Sequence, residues 1–238
     1  KKDDLITANL GESAVAVALG KGGGMFEMAK TTAVGADPIA VRVADLNGDK
    51  KLDVITANSY SGDLTVLLGK GDGTFEGGKT TALSSPPTAL AIADANGDMK
   101  DDVLVTTTDG KVLLIPGKGD GTFDTTAVKT VTGFSRPMAL ALADLNGDKK
   151  LDLGVANYGS GTISLLLGKG DGTFEMPKSA AVETAPLGLA FLDLDGDMKL
   201  DLVSANSASA SISVLIGKGD GSFADAKSVA VGSGPNSL

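Results

Sequence analysis

Nine residues from Asp45 to Asp53 read DLNGDKKLD, and they set side-chain oxygens at alternate positions. Asp45, Asn47 and Asp49 stand at positions 1, 3 and 5, Asp53 stands at position 9, and Lys51 offers its backbone carbonyl at position 7. The pattern returns as DANGDMKDD (Asp94, Asn96, Asp98, Lys100, Asp102), as DLNGDKKLD (Asp144, Asn146, Asp148, Lys150, Asp152) and as DLDGDMKLD (Asp193, Asp195, Asp197, Lys199, Asp201). Oxygen ligands at alternate positions of a tight loop wrap a hard cation, and Ca2+ accepts about six to eight of them in flexible geometry. Mg2+ demands a stricter octahedron and suits the pattern less well. Asp, Asn and Gly also make good turns without any ion, which accounts for one copy better than for four. Carboxylates gathered within about 4–5 Å repel by roughly 1–4 kcal/mol per pair at surface-like dielectrics, so a bare loop would carry that penalty at every repeat. About four Ca2+ sites are therefore expected. Four divalent cations, each adding two charges, would bring the formal charge of −9 to about −1.

The elements that must hold these loops repeat with them. The leading Asp falls at 45, 94, 144 and 193, a period of about 49 residues. Each loop is followed by a second marker, GKGDGTF from Gly69, Gly117 and Gly168 and GKGDGSF from Gly217, with a degenerate GKGGGMF from Gly20. A third marker is a Pro that opens an apolar stretch, at Pro38, Pro87, Pro137, Pro186 and Pro235. A long fixed period is the signature of a repeat architecture. Within a unit the apolar period is two: Met138, Leu140 and Leu142 alternate with Ala139, Ala141 and Ala143, as a strand requires. Such a strand suits a position covered on both faces. Four strands per unit with no helical pattern predict an all-β chain, a five-bladed β-propeller of four-stranded antiparallel blades. The blades are expected at about 1–34 plus 235–238, 38–83, 87–131, 137–182 and 186–231, within one domain over 1–238. A β-sandwich would not need so regular a period, and a nonapeptide β-helix would repeat its Gly-Asp motif about every nine residues. The GDGTF turns read as structural, each Phe packing between blades, and no Gly-Lys-Ser/Thr opens a helix as a phosphate loop would need.

Composition excludes several chemistries. The chain has neither Cys nor His, which removes disulfides, thiol nucleophiles and the commonest general base. The net charge of −9 opposes a nucleic-acid backbone as partner, and no apolar run approaches the roughly 18 residues of a membrane span. The start, KKDDLITAN, has no initiator Met and no signal-peptide core, so it reads as a mature or trimmed segment.

The loops together with Asn9, Asn58, Asn157 and Asn206 after the second strands and Phe75, Phe123 and Phe174 in the glycine turns resemble the FG-GAP/VCBS repeat family, the integrin-alpha type of β-propeller. The resemblance runs over essentially the whole chain. It implies calcium between the first and second strands of a blade, an extracellular, secreted or cell-surface setting, and a role in adhesion or in binding glycans or proteins. Two features depart from the family. Lys50, Met99, Lys149 and Met198 stand at loop position 6, where the family usually has Gly, and the family's propellers commonly have seven blades where five units are present here.

Alternating strand direction puts the acidic and GDGTF turns on one rim. Turns SYSGD, TTDGK, YGSGT and SASAS lie on the other rim with the connections GADP, SSPP, GFSRP and ETAP. That second rim varies most between units, and binding residues tend to sit on loops over a rigid scaffold. Tyr60, Tyr158, Phe134 and Arg136 are the side chains there best suited to stack on a sugar or anchor a protein. Arg42 replaces the small residue of its strand and is expected to pair with a loop carboxylate or to line the central channel. The leading expectation is a calcium-stabilised binding module and no enzyme. A polysaccharide lyase would need a base that only Lys or Tyr could supply, and no convergent cluster is visible. A structural or assembly subunit is the alternative, and the absence of His, Cys and Trp with only two Arg, Arg42 and Arg136, would fit an engineered or thermally adapted repeat protein. Aligning KKDDLITAN from Lys1 with KKLDVITAN from Lys50 puts Asp4 at loop position 9, and GPNSL aligns with DPIAV. The fifth blade is thus expected to be split, residues 235–238 docking beside residues 5–9, with no fifth calcium. The split blade also leaves self-assembly by strand addition open.

Overall fold

A computed structural model of the chain describes residues 2–238; Lys1, from which the alignment of the two ends starts, lies outside them. The first unit holds β1 (Leu5–Asn9), β2 (Ala14–Ala18), the short hairpin β3 (Gly20–Gly22) and β4 (Met25–Phe26), and β5 (Lys30–Ala33). One 3-10 turn, Leu10–Glu12, joins β1 to β2. Four units of one plan follow: β6 (Pro38–Ala44), β7 (Asp53–Asn58), β8 (Asp63–Leu67), β9 (Lys79–Ala82); β10 (Pro87–Ala93), β11 (Asp102–Thr107), β12 (Lys111–Ile115), β13 (Lys129–Thr132); β14 (Pro137–Ala143), β15 (Asp152–Asn157), β16 (Thr162–Leu166), β17 (Lys178–Ala181); and β18 (Pro186–Leu192), β19 (Asp201–Asn206), β20 (Ser211–Leu215), β21 (Lys227–Ala230). Each of these four is an antiparallel meander in sequence order, while β1, β2 and β5 form a three-stranded sheet. The whole is an all-β, propeller-like repeat.

The two-residue period predicts the strands correctly but not which one is covered on both faces. Every residue of β7, β11, β15 and β19 is buried, whereas the first strands of the sheets are only partly so. The reason is position. A second strand is flanked within its sheet and covered by the sheets before and after it. The first strands instead neighbour one another, β6 beside β10, β10 beside β14 and β14 beside β18, and line a cavity of about 490 Å³ with Arg42, Ala91, Leu142 and Phe191 in its wall. Each first strand also carries a bulge after its opening Pro, as between Pro87 and Ala89, which fits a residue without a backbone donor.

The apolar core lies between sheets rather than within them. Leu46, Ile55 and Leu64 of one sheet meet Val103, Val105, Leu113 and Phe123 of the next. The same contact recurs between the second and third four-stranded sheets and between the third and fourth, and Val15 of the first unit meets Val54 and Leu67. Phe75, Phe123, Phe174 and Phe223 all pack into such junctions. The expected fourth strand of the first sheet is not formed: residues 235–238 make no strand and β1 is an edge. The C-terminal segment rests against β18 instead, where a Cβ on Gly188 would stand 3.2 Å from the Cα of Ser237.

Candidate metal centre

The acidic loops join the first and second strands of each four-stranded sheet, and their shape follows from their own carboxylates. Asp45 Oδ1 accepts from the amides of Gly48 (2.8 Å) and Asp49 (3.1 Å), and its Oδ2 accepts from Lys50 N at 2.8 Å. Asn47 Oδ1 accepts from Asp49 N at 3.0 Å, and Asp49 Oδ1 from Lys51 N at 2.9 Å. Asp94, Asp144 and Asp193 hold their loops in the same way. These bonds fold each loop over its own side-chain oxygens. In the fourth loop, ligand oxygens of Asp193, Asp195 and Asp197 all lie within 4.8 Å of one another, and this is the one such trio of acids among the described residues. The other three loops carry Asn at position 3 and offer two carboxylates and an amide oxygen there.

Position 6 resolves the departure from the usual Gly. Lys50, Met99, Lys149 and Met198 have φ of 66°, 65°, 64° and 65°, so the left-handed conformation is kept without the residue that adopts it freely. That conformation costs an L-residue about 1–2 kcal/mol, and four equal occurrences mean that the loop closure overrides it each time.

Position 9 does more than offer an oxygen. Asp53 is fully buried, and its Oδ2 accepts from Leu46 N at 2.9 Å while its Oδ1 accepts from Gly69 N at 2.8 Å. Asp102, Asp152 and Asp201 repeat both bonds, and Asp4 accepts from Gly20 N at 2.8 Å. Each tethers the acidic loop to the glycine turn that opens with GKG. The turn needs that Gly: a Cβ on Gly69 would collide with the carbonyl of Leu52, and one on Gly117 with that of Asp101. Burial pushes the carboxyls of Asp102 and Asp152 above the ordinary carboxylate range, against the two amide bonds that pull each down. Lone pairs remain on these oxygens for a cation, but the fold already uses both of them.

The lysines at position 7 were expected to supply only a carbonyl. The ammonium groups of three of the four also reach back to position 5, Lys51 to Asp49 at 3.3 Å, Lys150 to Asp148 at 3.6 Å and Lys199 to Asp197 at 2.7 Å. The Asp49 and Asp148 carboxyls sit below their ordinary range chiefly through the amides of Lys51 and Lys150, and that of Asp197 chiefly through the Lys199 side chain. The donor set, all oxygen and mostly carboxylate, suits a hard divalent cation, and the ammoniums are weak, exposed competitors for it.

The opposite rim is less convergent than expected. Tyr60 is 82% exposed, and the Arg136 guanidinium stacks over the Tyr158 ring at 4.7 Å from its centroid. Phe134 must be corrected: it is only 7% exposed and packs with Leu104, Val112 and Leu140 between two sheets, because its chain position turns an apolar ring toward the junction. Arg42 makes no ion pair with a loop carboxylate among the described residues; it lines the cavity and donates from Nη1 to Val41 O at 2.8 Å. Asn58, Asn157 and Asn206 clamp the second strand to the third through hydroxyls of Thr65, Ser164 and Ser213.

No curated protein matches the chain. Among solved structures, it is similar to an Agrocybe aegerita lectin solved for recognition of non-reducing terminal N-acetylglucosamine, at 22% identity, TM-score 0.64, over 95% of this chain and 66% of the lectin. A functionally unknown protein from Desulfotomaculum acetoxidans aligns over 100% of this chain and 68% of its own, at 12% identity and TM-score 0.74. A streptogramin B lyase aligns over 96% and 65%, at 15% identity and TM-score 0.64. The chain thus spans about two thirds of the length of these structures, and at such identities the likeness is one of fold. At the level of sequence, the model of the FG-GAP-like repeat fits residues 1–56, 45–105, 94–155 and 144–204 in overlapping succession, and the chain belongs to that family.

Proposed function

We propose that the chain is a calcium-stabilised extracellular binding module whose five repeat units are successive propeller blades, and that it recognises a glycan or a protein on the rim opposite its acidic loops. The observation that carries this is the fourfold acidic loop with the close carboxylate trio Asp193, Asp195 and Asp197 in one copy, since four repeats of so many acids are poorly explained as solvated turns. Asp45, Asn47, Asp49, Asp53 and the Lys51 carbonyl, with their counterparts in the other loops, would hold the ion. A cation bound only by the folded state adds about 2.7 kcal/mol per site at a hundredfold excess over Kd. Extracellular calcium fills even weak sites of this kind, which supports secretion or cell-surface display.

On the other rim, Tyr60 and the Arg136–Tyr158 stack offer flat apolar faces with polar edges, suited to a sugar ring or a protein anchor. That a lectin shares the fold supports testing sugars first. The test is a glycan array probed in calcium and in chelator, with Tyr60→Ala and Tyr158→Ala beside the parent. Binding lost in both variants while melting is unchanged supports the rim; binding that responds only to changes in the acidic loops refutes it.

A further inference from the structure

The four units from β6 to β21 follow one plan, so a place where one of them departs from the other three in charge is informative. Arg42 is one such departure. It holds the fifth place of its first strand, where Ala91, Ala141 and Ala190 stand in β10, β14 and β18. The backbone place is the same in each: Arg42 pairs with Ile55 as Ala91 pairs with Leu104, Ala141 with Gly154 and Ala190 with Val203. Asp101 is another. It stands at loop position 8, where the other loops carry Leu52, Leu151 and Leu200. Its backbone also keeps the common place, since its carbonyl abuts Gly117 as those of Leu52, Leu151 and Leu200 abut Gly69, Gly168 and Gly217.

Both departures fall on one cavity. The space of about 490 Å³ among the first strands is lined by Arg42 and Asp101 and otherwise by apolar residues, Ile92, Leu142 and Phe191 among them. All of this lining comes from between residues 42 and 191, not from either end of the sequence. Mostly apolar walls around about 300–1,000 Å³, with a few placed polar groups, are the makeup of a small-molecule site. The two charges do not satisfy each other. No ion pair joins them among the described residues. Arg42 commits one donor to the carbonyl of its own neighbour, Val41, of the several that a guanidinium carries. Atoms around it withdraw water and hold its pKa below the ordinary value, a cost that no acid offsets. For packing alone, the Ala of the other three units serves this place better.

We propose that this cavity binds a small zwitterion with an apolar body, an α-amino acid with an apolar side chain. The ligand carboxylate meets Arg42, whose planar fork suits bidentate recognition of that group. The ammonium meets Asp101, and the side chain lies against Ile92, Leu142 and Phe191. Spacing fits this division. Ala93, two residues beyond the Ala91 counterpart of Arg42, pairs with Asp102, which sets Asp101 about 7–10 Å nearer the acidic rim than Arg42 along the strands. An extended arginine and a ligand of amino-acid length span that gap together. A simple anion would use Arg42 and leave Asp101 facing it unpaired, and a simple cation would do the reverse. The site is separate from the opposite rim, where Tyr60 and the Arg136–Tyr158 stack lie.

Titration calorimetry on the calcium-loaded chain tests this, with L-leucine and L-phenylalanine as probes. For each probe the N-acetyl acid and the amide are run beside it, since each lacks one of the two charges. The expected result is saturable binding of a free amino acid at about one site per chain, weakened about tenfold or more by either blocking group. Arg42→Ala and Asp101→Leu give each place the residue its counterparts carry, so both variants should fold, and each should weaken binding about tenfold or more. Arg42→Lys should recover part of the loss seen in Arg42→Ala, because it keeps the charge without the fork. Tyr60→Ala and Tyr158→Ala should leave amino-acid binding unchanged, which keeps this site and the glycan rim distinguishable. No saturable binding of either probe at millimolar concentration overturns the proposal. So does equal binding of a blocked probe on the parent chain, a result that does not depend on any variant folding. Binding indifferent to both cavity substitutions, or lost in the rim variants, overturns it as well.

Discussion

Replacing Asp152 by Ala separates the two jobs of loop position 9. Its carboxylate accepts from Leu145 N at 2.8 Å and Gly168 N at 2.7 Å, and the residue is fully buried. Removing it leaves two buried amides without partners, at about 1–3 kcal/mol each. Burial already disfavours the charged carboxylate, so part of that loss is recovered, and the net destabilisation is expected at about 2–4 kcal/mol. Urea unfolding in chelator reads this without any contribution from the ion. Asp148→Ala, at exposed position 5, should by contrast change stability in chelator by less than about 1 kcal/mol and should weaken only the stabilisation that calcium brings. If Asp152→Ala unfolds within about 0.5 kcal/mol of the parent in chelator, position 9 is not a tether between the loop and the glycine turn, and the reading of its geometry fails.

Other outcomes follow from neighbouring features. Lys149→Gly relieves a left-handed lysine at φ 64° and should stabilise the chelated chain by up to about 1 kcal/mol, measured by thermal unfolding. Gly154→Val would force a side chain toward Phe191, whose ring already stands 2.6 Å from the position of a Cβ, and should destabilise by about 1–3 kcal/mol. Lys199→Met removes an ammonium 2.7 Å from Asp197 and should tighten calcium by about fivefold, read by titration calorimetry, since a unit charge near a divalent ion is worth about 1 kcal/mol at surface dielectrics. The pH dependence has two windows. Asp102 and Asp152 have raised pKa values in the folded chain, so the stability they allow is present below the unfolded value of about 3.9 and is lost as pH rises through their folded values. Asp49, Asp148 and Asp197 have lowered values, so their contribution is present above about 3.9 and is lost as pH falls through theirs. Chelated protein should show both limbs, and calcium should remove the first; a profile in which calcium leaves the upper limb untouched would contradict the placement of Asp102 and Asp152 beside the ion.

The repeat was legible because its markers are local. A Pro opening a strand, an acidic loop and a glycine turn each act through residues a few positions apart, and their period fixes the sheets. The tether from Asp53 to Gly69 was not legible, since spacing shows that an acid is present but not that two distant amides claim it. For the same reason Phe134 read as a rim side chain: whether an aromatic in a connection faces solvent or a sheet junction depends on the neighbouring sheet. The lysines at position 7 offered a usable signal in their charge, had it been weighed beside the acids two residues before. The first-strand alternation of β14 was correctly seen as a strand, but its burial depends on the cavity its neighbours enclose. The apolar residue at loop position 2 was visible in every copy of the motif, and only the structure shows that Leu46, Ala95 and Leu145 plug the space between sheets while Leu194 stays exposed.

Calorimetric titration of calcium into chelator-stripped chain, with melting followed in parallel, tests the central claim most directly. Saturable binding at about four sites per chain is expected, with a melting temperature that rises by many degrees between chelator and calcium, since each site adds about 2.7 kcal/mol at a hundredfold excess over Kd. No measurable binding together with superimposable melting curves would mean that the four acidic loops are turns held by their own backbone alone, and the calcium reading would be wrong.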